Sequence, residues 1–127
     1  MTVKEFLIIL LLGGSAYGLI ELVWRGHTHW TMVLTGGVCA VSVYLVAARS
    51  GLPPLGQYAL CAGLITAWEY VAGAVVNVAL GWTVWDYSRE PFNLYGQVCA
   101  RYALYWFLLS IPACALARLL RGLIGAV

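Results

Sequence analysis

Charged side chains are scarce in this chain of 127 residues, where Lys, Arg, Asp and Glu together make up 9%, against roughly 25% in an ordinary soluble domain. Hydrophobic residues account for 63%, which is more apolar surface than a soluble domain of this size can bury. The basic residues are scattered singly and the net charge is only +2, so they form no patch for nucleic acid. The composition therefore predicts an integral membrane protein in contact with lipids and excludes a nucleic-acid binder.

Two kinds of motif are also missing. The sequence contains no G-x-x-x-x-G-K-[ST] phosphate loop, so it carries no ATPase site of that type. His27 and His29 lie close together in a short connection, without a cysteine near enough to complete a zinc site. The four cysteines have no C-x-x-C spacing and are predicted to pack as small apolar residues: Cys39, Cys61, Cys99 and Cys114. We therefore expect neither a metal nor a cofactor.

Four continuous apolar runs are long enough to cross a bilayer, which takes about 20 residues. They cover about residues 5–24, 30–48, 56–80 and 97–120. A membrane barrel would show short alternating segments instead, and lipid admits only helices and closed barrels. The sequence therefore predicts an all-α polytopic membrane protein, with one transmembrane domain over residues 1–127. Its four helices form a small bundle, with an aromatic-rich loop between helices 3 and 4.

The distribution of Lys and Arg predicts the orientation of the bundle. The side that carries both termini has four basic residues: Lys4, Arg49, Arg118 and Arg121. The opposite side has fewer: Arg25 and Arg89, joined by Arg101 if that residue reaches the membrane surface. We expect both termini in the cytoplasm and the chain in a plasma membrane, such as the bacterial inner membrane. The small difference also allows insertion in two orientations.

Two carboxylates stand out within the apolar runs. Glu69 lies near the middle of the third span, where a charge costs on the order of 3 kcal/mol, so it should face protein or water. It is either a structural clamp, hydrogen-bonded across a helix interface, or a functional group. Glu21 belongs to a stripe of small and polar residues on the first helix, and Arg25 at i+4 is its nearest candidate partner.

Further polar groups fall toward the same outer half of the bundle. Arg101 either extends to the surface or pairs with Glu69, Glu21 or Asp86. Pro112 removes one backbone donor from the fourth helix, which favours a kink. Acids, an arginine and aromatic rings at one place could shuttle protons, coordinate a cation, perform acid–base chemistry or bind an organic cation.

A set of short motifs resembles a known family. They are W-E-Y at 68–70, W-D-Y-S at 85–88, P-F-N at 91–93, G-x-x-C at 96–99 and, upstream, Y-G-x-x-E at 17–21. Together with an aromatic final helix, they resemble the small membrane proteins called putative ABC-transporter type IV, or CmpB-like, permeases. The resemblance covers about residues 10–109. The family's G-P-x-C-P-I-Y-G run is reduced here to Gly36 and Cys39, and Gln97 stands where a basic residue is usual.

The resemblance implies a role in transport and a set of site residues. The motif residues, together with the polar residues singled out above, form the set of candidate binding residues: Tyr17, Glu21, Glu69, Trp85, Asp86, Tyr87, Asn93 and Arg101. No catalytic residue is assigned.

Three functions remain open at this point. The leading hypothesis is a permease-like transport protein or transporter subunit, with an acidic and aromatic site in the outer half of the bundle and a small-molecule or ion substrate. Its partners would be further copies of the chain, which Gly- and Ala-rich helix faces favour, and a separate ATPase subunit. The alternatives are a membrane-embedded enzyme that uses Glu and Asp on a lipid-like substrate, and a structural or assembly protein.

Overall fold

Four long helices make up most of the computed structural model, which describes residues 1–125. They are α1 (Val3–Arg25), α2 (Trp30–Arg49), α3 (Pro54–Gly73) and α4 (Ala100–Gly125). After Gly73 the chain continues from α3 as a π-helical segment, Ala74–Ala79. All four helices, with α3 taken through Ala79, are long and apolar enough to cross a membrane. The predicted all-α membrane fold is therefore confirmed.

The helices begin and end at residues whose chemistry suits those positions. Thr2 precedes α1 and its hydroxyl accepts a hydrogen bond from the backbone N–H of Glu5, 3.1 Å away, as an N-cap does. Gly26 follows α1 with φ of 79°, a left-handed conformation that glycine adopts without steric cost. Pro54 opens α3, where its missing N–H leaves no helical bond unmade. These local signals divide the apolar sequence into separate helices.

The fourth helix starts later than the sequence suggested, at Ala100 instead of about residue 97. Residues 93–99 form a small antiparallel hairpin, in which β1 (Asn93–Leu94) pairs with β2 (Val98–Cys99). Gly96 turns the chain with φ of 71°, and its N–H donates to Asn93 Oδ1 over 3.0 Å. Because this turn satisfies backbone groups that a helix would otherwise use, helical hydrogen bonding begins only after it.

Helix α2 forms the middle of the bundle. It packs closely against α1, and also against α3 and α4, which pack against each other. The approach of α1 and α2 depends on glycine: a Cβ on Gly14 would overlap the carbonyl oxygen of Val33, and one on Gly36 would overlap Tyr17. Small residues bring helix backbones close together in membranes. The predicted stripe on α1 thus faces the bundle.

Helices α1 and α4 are not closely packed against each other, so a groove runs between them with α2 as its floor. We call the end of the bundle with connections 26–29 and 80–99 the loop end, and the opposite end, which carries the N-terminus, the terminal end. Large apolar side chains such as Leu11, Val23 and Leu119 are exposed on the outer surface. Such a surface is expected where helices contact lipid acyl chains.

Candidate functional site

Three side chains one helical turn apart on α1 form a polar row at the loop end. The hydroxyl of Tyr17 donates to Glu21 Oε1 over 2.9 Å, and Arg25 Nε lies 3.4 Å from Glu21 Oε2. Glu21 is 6% exposed, so this carboxylate is held almost entirely by protein groups. The i, i+4 partner expected for Glu21 is therefore the one observed.

The guanidinium of Arg25 connects this row to the loop between α3 and α4. Its Nη2 donates to the hydroxyl of Tyr87 over 2.8 Å. Its central carbon lies 5.8 Å from the ring centroid of Tyr87 and 5.9 Å from that of Tyr102, within the range of cation–π attraction. The two rings are stacked, with centroids 4.8 Å apart. One cation thus holds α1, the loop and α4 together.

Glu69 reaches the same cluster from α3. Its Oε2 accepts a hydrogen bond from Trp106 Nε1 over 3.3 Å, and the Trp106 ring lies 6.0 Å from that of Tyr17, centroid to centroid. Burial raises the pKa of Tyr87 above its ordinary value, and the negative charge of Glu69 raises it further, against the opposing effect of Arg25. Glu69 is thus joined to the cluster through Trp106.

An open cavity of about 430 Å³ lies beside these groups, between α1 and α4. Its polar wall is formed by Glu21 and Arg25. Aromatic rings make up much of the remaining wall: Tyr17, Trp24, Tyr102, Tyr105 and Trp106. A pocket that is mostly apolar, with a few converging polar groups, is typical of small-molecule sites.

A second cavity of about 320 Å³ continues the groove toward the terminal end. It shares five lining residues with the first cavity: Tyr17, Ile20, Trp106, Leu109 and Pro112. Its other walls are mostly aliphatic or small, as at Ala16 and Leu116, and Tyr44 adds one aromatic ring. The groove is thus polar and aromatic at the loop end and largely apolar along the rest of its length.

Two of the predicted site residues organise the loop backbone instead of facing the cavity. Asp86 is exposed and its Oδ1 accepts from the N–H of Ser88 over 2.8 Å, which lowers the pKa of Asp86 below its ordinary value. Asn93 donates to the carbonyl oxygens of Ser88 and Glu90, at 3.2 and 2.9 Å. Both residues therefore give the loop its shape, as Asx side chains do in turns.

Trp85 and Arg101 also lie apart from the cavity. Trp85 is buried and its Nε1 donates to the carbonyl oxygen of Gln97 over 2.9 Å. Arg101 is exposed and pairs with Glu90 at 3.6 Å, not with Glu69, Glu21 or Asp86, the partners considered from the sequence. Its position in the first turn of α4 directs it toward the loop. Among the predicted residues, the structure brings together Tyr17, Glu21, Glu69 and Tyr87.

The loop is attached to the π-helical end of α3 through two amides. Asn77 Nδ2 donates to Gln97 Oε1 over 2.9 Å, and Asn77 Oδ1 accepts from the N–H of Val84 over 2.7 Å. Gly73 leaves space for Gln97, since a Cβ there would overlap its side chain. Gln97 thus serves as an uncharged connector between the loop and α3. This attachment holds Tyr87 beside Arg25.

Three contributors to the cluster were not among the predicted site residues. Arg25 was expected as a partner of Glu21, and its i+4 spacing was the signal for that contact. Tyr102 and Trp106 lie one turn apart on α4, a spacing that places them on one face. That spacing alone does not distinguish a face toward the protein from one toward lipid.

Comparisons with curated proteins and with solved structures give no match. A comparison with family models gives a match over residues 16–122, a range that contains the polar cluster, the loop and most of the groove. The model is described as "Putative ABC-transporter type IV". Because this match covers well over half of the chain, the protein belongs to the Putative ABC-transporter type IV family.

Proposed function

We propose that this protein is a permease-like transport subunit whose ligand enters the groove between α1 and α4 and contacts the cluster around Glu21 and Arg25. The observation that carries the proposal is the position of this largely buried ion pair on the wall of an open cavity between two helices that are long and apolar enough to cross a membrane. Ionisable side chains within spans are costly, and they commonly mark ligand or ion pathways. The family description is consistent with transport.

The cluster contains groups that can respond to a ligand. Arg25 contacts α1, the loop and α4 at once, through Glu21, Tyr87 and Tyr102. A ligand that competes for Arg25 or Glu21 would therefore alter how the loop and α4 are held against α1. Differential contacts of this kind are what a ligand needs in order to shift a conformational equilibrium.

The assembly of the transporter belongs to the same proposal. Four spans are few to enclose a pathway, so we propose that several copies of the chain associate, with a separate ATPase as a further partner. Exposed small residues on the helices favour close association. We also propose that the termini lie in the cytoplasm, with the loop end on the opposite side, on the basis of the Lys and Arg distribution.

The proposal is tested with membrane vesicles from cells that express the chain, supplied with ATP so that a host ATPase can contribute. Uptake of rubidium ions, tetraphenylphosphonium and a fluorescent lysophosphatidylcholine is compared with vesicles that lack the chain. We expect at least one probe to move faster, and Glu21→Gln and Glu69→Gln to reduce this rate roughly tenfold, about 1.4 kcal/mol. Glu5→Gln is the matched control, because Glu5 lies at the terminal end and lines neither cavity.

Two outcomes would contradict a transport role. One is that all three probes move at the rate of vesicles without the chain. The other is that both glutamine variants are expressed at the wild-type level and transport as fast as the Glu5→Gln control. Either result would leave the cluster with a structural role.

A structural role is the second candidate, and the loop contacts favour it for particular residues. Asp86 and Asn93 each bind backbone groups of their own loop, as expected if they shape this segment. The acid–base enzyme is less well supported, because Glu69 is buried among the helices while Asp86 is exposed on the loop. Asp86→Asn is therefore expected to lower stability in detergent without a selective loss of transport.

A further inference from the structure

The loop-end cavity has the composition of an aromatic cage for an organic cation. Five aromatic rings line it together with the carboxylate of Glu21. Rings of this kind attract alkylammonium groups through their electron-rich faces, most strongly where water is excluded. On the wall of the cavity, the Arg25 guanidinium already makes cation–π contacts of this kind with the rings of Tyr87 and Tyr102.

The formal charges of the cluster favour a cation over an anion. Glu21 and Glu69 contribute two carboxyl groups, and Arg25 contributes one guanidinium. Arg101, at the start of α4, is paired with Glu90. When both carboxyl groups are ionised, the cluster has one negative charge in excess. A bound cation would balance that charge, whereas a bound anion would add a second unbalanced negative charge in a medium of low dielectric constant.

The apolar continuation of the groove fits a single hydrocarbon chain. From Ile9 to Arg25, two residues that line the groove at its opposite ends, α1 rises by about 24 Å. One leaflet of the hydrocarbon core is about 15 Å deep. A chain in the groove would therefore extend past the middle of the membrane while its head stays at the loop end.

We infer that the ligand of this site is a single-chain amphiphile with an alkylammonium head, its head in the aromatic cage beside Glu21 and its tail along the groove between α1 and α4. This assignment rests on the transport function proposed above and names its substrate class. The juxtaposition that carries it is one acidic, aromatic cavity continuous with one apolar cavity.

Native mass spectrometry of the protein released from neutral maltoside micelles tests the assignment. Hexadecyltrimethylammonium, hexadecyl sulfate and tetramethylammonium are offered at equal concentrations. We expect one hexadecyltrimethylammonium to be retained by each chain, with at least tenfold weaker retention of the other two, about 1.4 kcal/mol or more. The sulfate tests the charge of the head, and the tailless ion tests the contribution of the groove.

Two variants with matched controls locate the ligand. Glu21→Gln removes the carboxylate of the cage, and Glu5→Gln makes the same change at the other end of α1. Ala16→Trp fills the apolar part of the groove that Ala16 lines, and Ala115→Trp adds the same ring on an exposed part of α4 outside both cavities. We expect the first member of each pair to lose retention roughly tenfold, and the controls to match wild type. Tryptophan fluorescence in the same micelles verifies that each variant is folded.

The results separate this assignment from the proposed transport function. Equal or stronger retention of hexadecyl sulfate or tetramethylammonium would overturn the assignment, as would retention that Glu21→Gln and Ala16→Trp leave unchanged in folded protein. If vesicles still transport rubidium ions in a Glu21-dependent way, transport stands without the amphiphile. If the cationic amphiphile is retained but no probe is transported, the binding site stands without transport.

Discussion

The ion pair between Glu21 and Arg25 should make a measurable contribution to the stability of the bundle. Arg25 Nε lies 3.4 Å from Glu21 Oε2, and the side chains of Glu21 and Arg25 are 7% and 20% exposed. At an effective dielectric constant of about 20, this separation corresponds to a Coulomb attraction of about 5 kcal/mol before the cost of desolvation. Arg25 also donates to the hydroxyl of Tyr87, a charge-assisted bond worth about 1.5–3 kcal/mol.

Removing one partner leaves the other charge buried and unpaired, which typically costs about 3–5 kcal/mol. Because Glu21 keeps the hydrogen bond from the Tyr17 hydroxyl when Arg25 is removed, we expect Arg25→Gln to lower the free energy of unfolding by about 3 kcal/mol, the lower end of that range. Glu21→Gln should have a similar effect. In the double variant no charge is left buried without a partner. Its loss of unfolding free energy should therefore be about 2 kcal/mol smaller than the sum of the losses of the two single variants.

The measurement is a double-mutant cycle in mixed micelles, with unfolding by sodium dodecyl sulfate followed through tryptophan fluorescence. Arg118→Gln is the control, because Arg118 is exposed and its bond to Gln57 is long, at 3.3 Å, so a change within about 0.5 kcal/mol is expected. If the losses of the two single variants add within about 0.5 kcal/mol, the pair does not act as a unit and the reasoning is refuted.

Two further predictions concern the helix interface and the loop. Gly36→Ala should destabilise the bundle by about 1–3 kcal/mol, because its Cβ would overlap Tyr17. Gly63→Ala, with open space around it, should stabilise α3 by up to about 1 kcal/mol; equal effects in the same unfolding assay would contradict the close α1–α2 approach. The hydrogen bond from Ser88 N–H lowers the pKa of Asp86 in the folded protein. The stability that this bond contributes is therefore fully present above the pKa of Asp86 in the unfolded chain, about 3.9, and is lost as pH falls through the pKa in the folded protein. The Ser88 amide resonance should therefore titrate with a midpoint below about 3.9 and lose this titration in Asp86→Asn; a midpoint at or above that value would contradict the hydrogen bond.

The helices could be predicted from the sequence because their signal is local. An apolar run of sufficient length must form hydrogen bonds within itself in lipid. Capping residues such as Thr2 and Gly26 determine where the helix begins and ends. The start of α4 was the main difference. There, a hairpin held by the hydrogen bond between Asn93 and Gly96 uses the backbone N–H and C=O groups that a helix would need. Hydropathy measures side chains and does not report such backbone bonds.

The candidate site was predicted in part. Glu21 and Glu69 stood out because a carboxylate within a span is costly, and Arg25 followed from helical spacing. Trp106 could not be identified as a site residue from the sequence, because an aromatic residue on an apolar helix can point toward protein or toward lipid. Its bond to Glu69 joins positions 37 residues apart in the chain, a contact that no local pattern encodes.

The sequence by itself determined that the chain crosses a membrane as helices, because composition and run length are properties of the chain alone. It also determined which charges would be costly in lipid. The tertiary structure decided that Glu21, Arg25, Tyr87 and Trp106 meet beside an open groove, while Asp86 and Asn93 shape a loop. The physical reason is that these contacts depend on how glycine-lined faces of α1 and α2 approach each other and leave α4 apart from α1.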